Sequence, residues 1–262
     1  MRSGKPAAAF AVLLVVSFAT MNAMPSDTLL AAMLQEAVLA LVALVAVRFA
    51  VPDVLKRCTQ AVQQRNTVRF AAIALLLVGL IGGAITLLVW LFSGGGTMAC
   101  FASTALPSTV DLMENLLLLL GICLLTGLYE EAFMRVLGIE AFERALDTKR
   151  AILASAALFA LLHVGAPDVS AGQLVLLQTA LKFGQALLFG VILGALYART
   201  RRLWPCAFIH AGFDILYMAP NVLLTGTMPE TYALGAVGDT VLLAVSVLML
   251  SGIVLKIRKE IA

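Results

Sequence analysis

Long apolar runs, near residues 7–23, 29–51, 69–92, 112–137, 151–165, 174–198, 203–219 and 234–255, take up most of this chain. A helix needs about 20 mainly apolar residues to cross the hydrocarbon core of a bilayer. The runs therefore predict an all-α, polytopic transmembrane bundle of about eight spans, the fifth and seventh being short. Composition agrees: 62% of residues are hydrophobic and 13% charged, where soluble domains carry roughly 45–50% and about 25%. Residues 1–262 read as a single integral membrane domain. Arg2 and Lys5 precede the first run in the manner of a signal peptide, but no clear A-x-A site precedes Pro25 and a retained span is expected.

The cations sort themselves by connection. Arg48, Lys56, Arg57, Arg65 and Arg69 surround the second connection, and Arg144, Lys149 and Arg150 occupy the fourth. Arg199, Arg201 and Arg202 fall in the sixth, and Lys256, Arg258 and Lys259 close the sequence. The alternate connections, 22–28, 93–111, 166–173 and 220–233, contain no Lys or Arg. Cytoplasmic loops carry the excess of Lys and Arg, so both termini are expected to be cytoplasmic. Short loops and an Ala/Leu-rich sequence point to a bacterial inner membrane. Basic residues without interleaved aromatics give no reason to expect nucleic acid as a partner. The scattered Cys58, Cys100, Cys123 and Cys206 suggest neither a disulfide framework nor a zinc site. Gly94-Gly95-Gly96 reads as an outer loop, and Gly184, Gly190 and Gly194 as points of close helix packing.

A few polar residues interrupt the apolar runs. Glu130-Glu131-Ala132-Phe133-Met134-Arg135 follows one of the most apolar stretches, and an ionisable group inside a membrane is by default a functional-site hypothesis. Glu131 and Arg135 stand i,i+4 and share a helix face, so an ion pair there neutralises the second glutamate. On an α-helix Glu130 is about 140° from Arg135, which leaves it without that partner. The chain has only two histidines. Phe159 and His163, and His210 and Asp214, repeat the i,i+4 spacing. Purely structural readings stay open: an ion pair at Glu131 and Arg135, a backbone hydrogen bond at His163, and an interhelical clasp at His210 and Asp214. Gln178, Lys182 and Gln185 form a polar stripe on the sixth run, read as possible cavity lining or as a cap on an acid such as Asp168 or Glu130.

EExxxR, FxxxH and HxxxN/D, in this order on successive helices, resemble the CAAX protease and bacteriocin-processing (CPBP, Abi-type) family over about residues 110–220. The resemblance implies an intramembrane glutamic-type endopeptidase acting on a membrane-associated protein or peptide, without a cofactor. It makes Glu130 the water-activating base assisted by His163, and His210 with Asp214 the oxyanion site. Glu131 and Arg135 would then shape the motif, with Phe159 beside the cavity. The third motif has Asp214 where CAAX endopeptidases commonly have Asn. An ionised Asp accepts but does not donate hydrogen bonds, so Asp214 is expected to orient His210, which would make the oxyanion contact.

Three other readings remain. The same Glu, His and Asp side chains include acceptable zinc ligands, although no HExxH occurs. A transporter would also bury Glu, His and Lys, but no pair of broken helices in corresponding halves marks one. A non-catalytic scaffold or bacteriocin-immunity protein of the same family is the third.

Overall fold

The computed structural model describes residues 4–24, 26–56, 65–92, 107–164, 172–228 and 235–261. The Gly94-Gly95-Gly96 stretch and Asp168 lie outside them. Eight long helices account for most of these residues: α1 (Lys5–Ala23), α2 (Leu29–Ala50), α3 (Arg65–Phe92), α4 (Thr109–Phe142), α5 (Thr148–Val164), α6 (Gln173–Thr200), α7 (Leu203–Thr225) and α8 (Gly235–Ile261). A short helix, Pro52–Lys56, follows α2, and no strand occurs among the described residues. Seven of the eight are long and apolar enough to span a bilayer; α5, at 17 residues, is the short one. The chain is an integral, multi-pass membrane protein.

The helix starts have local causes. The Thr28 side chain accepts from the Ala31 N–H at the start of α2. Ser108 and Asp111 form a reciprocal capping box at the start of α4. Asp147 accepts from the Arg150 N–H at the start of α5. Burial is inverted relative to a soluble protein: Phe49, Phe92 and Leu248 are exposed, whereas Glu131, Arg135, Gln185 and His210 are buried. Apolar side chains cover the lipid-facing surface, and polar groups collect inside.

α4 packs against α7 and α2, α7 against α3, α5 against α6, and α8 against α6 and α3. Small residues set the closest approaches. A Cβ on Gly127 of α4 would lie 2.7 Å from the Ala207 carbonyl oxygen of α7. Gly190 and Gly194 of α6 meet Ala156 and Ile152 of α5 just as closely, while Gly184 has only an ordinary contact with Val247.

One element departs from the α-helical spacing used above. From Glu131 to Ile139 the backbone of α4 widens into a π-helix, a geometry found mostly as short interruptions and frequently at functional sites. The Ser155 hydroxyl of α5 donates to the Met134 carbonyl in this stretch at 2.6 Å. The 140° separation of Glu130 from Arg135 thus does not carry over, although the Glu131–Arg135 pairing does.

Candidate active site

The register of three helices is set at one end of the bundle by a cluster of charges. Arg201, in the left-handed turn between α6 and α7, donates to Glu140 at 2.8 Å and to Glu143 at 2.7 Å. Tyr197 donates to Glu140, and Thr148 at the start of α5 donates to Glu143. Burial works against the Arg201 charge, but the hydrogen bond and charge of Glu143 outweigh it and raise the guanidinium pKa. Glu131 lies nine residues before Glu140 and His210 nine residues after Arg201. α4 and α7 run antiparallel from this clamp, and the two side chains come within reach of each other.

There, His210 Nδ1 stands 2.8 Å from Glu131 Oε1. The other oxygen of Glu131 is 3.1 Å from Arg135 Nε. That contact has ion-pair distance without the angle of a directed hydrogen bond, and among the described residues the Arg135 nitrogens have no hydrogen-bond partner. The guanidinium instead lies over the Phe159 ring, 4.5 Å from its centroid, a cation–π contact strengthened by desolvation. Phe159 also packs against the His163 and His210 rings. The three motifs therefore form one stack, with Phe159 at its centre.

Glu130 faces both imidazoles. Its carboxylate lies 3.5 Å from His210 Nε2 and 4.0 Å from His163 Nε2. His163 Nδ1 is 2.9 Å from the Phe159 carbonyl, so Nδ1–H donates there and Nε2 is directed toward Glu130. Asp214 Oδ2 is 3.4 Å from the same His210 Nε2. Glu131 thus holds Nδ1, and the expected Asp214 partner stands on the Nε2 side together with Glu130.

Two concavities converge on this cluster. A polar cavity of about 420 Å³ is walled by Glu130, His163, His210 and Asp214 along with Lys182 and Gln185. An apolar cleft of about 190 Å³ separates α1 from α4 and α5, and Glu130 and His163 line it too. Its α1 wall is Leu14, Ser17, Phe18 and Met21, one face of that helix. Lys182 donates to Gln185, and Gln185 to the Tyr217 hydroxyl. Gln178 stands one turn away and donates to Thr240 instead.

Glu36 is a cavity residue that the sequence reading passed over. It is hydrogen-bonded to Thr126, and its Oε2 is buried without a hydrogen-bond partner among the described residues. Its signal was present in the sequence: an acid inside the apolar run 29–51, distant from any Lys or Arg. Asp239 of α8 likewise lines the cavity. Among the described residues, no three His, Cys, Asp or Glu side chains are grouped so as to hold a metal ion.

Fold and cluster together define a polytopic helical membrane protein with a buried carboxylate–imidazole site reached by both a polar cavity and an apolar cleft. Residues 112–216, which carry all three motifs, match the family model of type II CAAX prenyl endopeptidase Rce1-like proteins. The match covers the segment from α4 into α7, less than half of the chain, and states what that segment is similar to. No curated protein matches the chain.

Proposed function

We propose that this protein is an intramembrane endopeptidase that hydrolyses a peptide bond of a membrane-associated protein or peptide, using water activated by Glu130 and His163. The observation that carries the reading is the position of the Glu130 carboxylate, which faces two imidazole nitrogens where the polar cavity meets the apolar cleft.

Peptide hydrolysis needs a base for water, a donor for the oxyanion and a proton for the leaving amine. A water between Glu130 and His163 gives a proton to Glu130 as its oxygen attacks the scissile carbonyl. His210, anchored by Glu131 through Nδ1, presents Nε2–H to the oxyanion that forms, and Asp214 favours a proton on that nitrogen. Glu130 then returns its proton to the departing amine, so the peptide bond and one water yield a carboxyl and an amine. Losing one such oxyanion donor costs on the order of 3–4 kcal/mol at the transition state. No metal takes part in this scheme, and stringent chelation is expected to leave the rate unchanged.

The test is mass spectrometry of products from purified protein and membrane-peptide substrates, with Glu130→Gln and His163→Ala beside the wild type. Both substitutions are expected to abolish the wild-type fragments. Fragments of undiminished yield from both variants would reject the site assignment.

A further inference from the structure

We infer that Lys182 is a further catalytic residue of the hydrolytic site, its ammonium donating, beside His210, to the oxyanion that forms on the scissile carbonyl. This rests on the proteolytic reading of Glu130 and His163, and it adds a donor that none of the three motifs contains.

The charges around the site create the need for it. Glu130 and Asp214 both stand against His210 Nε2, at 3.5 and 3.4 Å, and Glu131 holds Nδ1 at 2.8 Å. The Nε2–H therefore faces two carboxylates before any substrate enters, and an ionised Asp214 has no proton to donate. The Arg135 charge is committed elsewhere, buried beside Glu131 and over the Phe159 ring. An oxyanion forming here adds negative charge to this group of acids, in a desolvated pocket where like charges repel strongly. A cation held in place beforehand is what stabilises such a step.

Lys182 meets that description. Among the described residues that wall the polar cavity it is the one Lys or Arg, and Glu130, His163, His210 and Asp214 share the wall with it. Its charge acts on Glu130, His163 and Asp214, yet among the described residues it forms no ion pair. An ammonium that faces carboxylates without pairing to one leaves room between them for a substrate oxygen. Its hydrogen bond runs instead to Gln185 Oε1, at 3.1 Å. Gln185 donates to the Tyr217 hydroxyl, which is also hydrogen-bonded to Ser246 of α8. This chain of contacts joins α6 to α7 and α8 and fixes the ammonium, while two of its N–H groups stay free for a ligand.

The step balances without any added reactant. The water oxygen bonds to the carbonyl carbon, its proton passes to Glu130, and the C=O pair moves onto oxygen, which accepts from Lys182 Nζ–H and His210 Nε2–H. When the C–N bond breaks, C=O re-forms and the amine leaves with the proton from Glu130. Lys182 keeps its protons throughout.

The test compares Lys182→Met with the wild type as purified full-length chains, on a membrane peptide that the wild type cleaves. Loss of an oxyanion donor lowers kcat by about 10²–10³-fold, and a fall of that size is expected with KM and thermal unfolding close to wild type. A phosphonamidate peptide, whose tetrahedral oxygen stands for the oxyanion, should lose affinity for K182M in step with kcat/KM, because catalysis is preferential binding of the transition state. Lys182→Ala should regain turnover with propylammonium in the buffer, but not with tetramethylammonium, which carries the charge without an N–H. Wild-type kcat in K182M, undiminished phosphonamidate affinity, or equal rescue by both ions overturns the inference. Should K182M not fold, Lys182→Gln takes its place; if neither folds, Lys182 is a structural ion and the inference is overturned. Wild-type cleavage keeps the two readings apart: if the wild type cleaves no peptide, the proteolytic reading fails and this inference falls with it, whereas cleavage that ignores Lys182 overturns the inference alone.

Discussion

Glu131 joins two partners that the sequence keeps apart: one carboxylate oxygen lies 2.8 Å from His210 Nδ1 and the other 3.1 Å from Arg135 Nε. The second glutamate of the pair therefore does more than neutralise an arginine. It links the first motif to the third and fixes which nitrogen of His210 faces the cavity.

Replacing Glu131 by Gln leaves Arg135 buried and unpaired. Breaking a buried pair from one side costs about 3–5 kcal/mol, so thermal unfolding in detergent should move well below the wild type. The double variant E131Q/R135M removes the uncompensated charge and should recover much of that stability. It should not recover turnover, because His210 still lacks its carboxylate anchor. Recovery of both would reduce Glu131 to a purely structural residue.

Phe159→Leu keeps an apolar side chain but removes the ring beneath the Arg135 guanidinium. A desolvated cation–π contact is worth about 2 kcal/mol, and a loss near that size is expected in chemical denaturation. Phe159→Tyr keeps the ring face and should stay close to wild type. Equal stability for the Leu and Tyr variants would remove the cation–π contact from the account.

Gly127→Val places a branched side chain where even a Cβ would meet the Ala207 carbonyl. Overpacking of this kind costs about 1–3 kcal/mol. The resulting separation of α4 from α7 should pull Glu131 from His210, lowering turnover more than substrate binding. Gly184→Ala, whose added Cβ would have only an ordinary 3.6 Å contact, serves as the control and should be nearly silent in both assays.

Arg201→Met strips the shared cation from Glu140 and Glu143. The Glu143 side chain is 1% exposed, so without the arginine it is a buried acid that still accepts from Thr148. A stability loss of about 3 kcal/mol is expected, read by thermal shift. Arg201→Lys should rescue only part of it, since an ammonium cannot reproduce the fork geometry across two carboxylates.

Much of the architecture was legible in the apolar runs, because an apolar stretch of membrane-spanning length has few other places to go. The run 112–137 corresponds to α4 and 174–198 to α6, each within a few residues except where α4 extends through Phe142. The pairing of Glu131 with Arg135 was also visible, since i,i+4 neighbours meet within one helix whatever surrounds them. Intervals of this kind are local and survive even the change from α to π winding.

The sequence by itself therefore determined the helical membrane class, the family motifs and the contacts made within single helices. Only the tertiary structure decided that Glu131 reaches His210, that Phe159 stacks beneath Arg135 and that Glu36 joins the cavity. Each of these depends on the depth at which one helix stands against another. That depth is set by the Arg201 clamp and by close contacts such as Gly127 on Ala207, between residues far apart in the chain whose spacing carries no periodic signal.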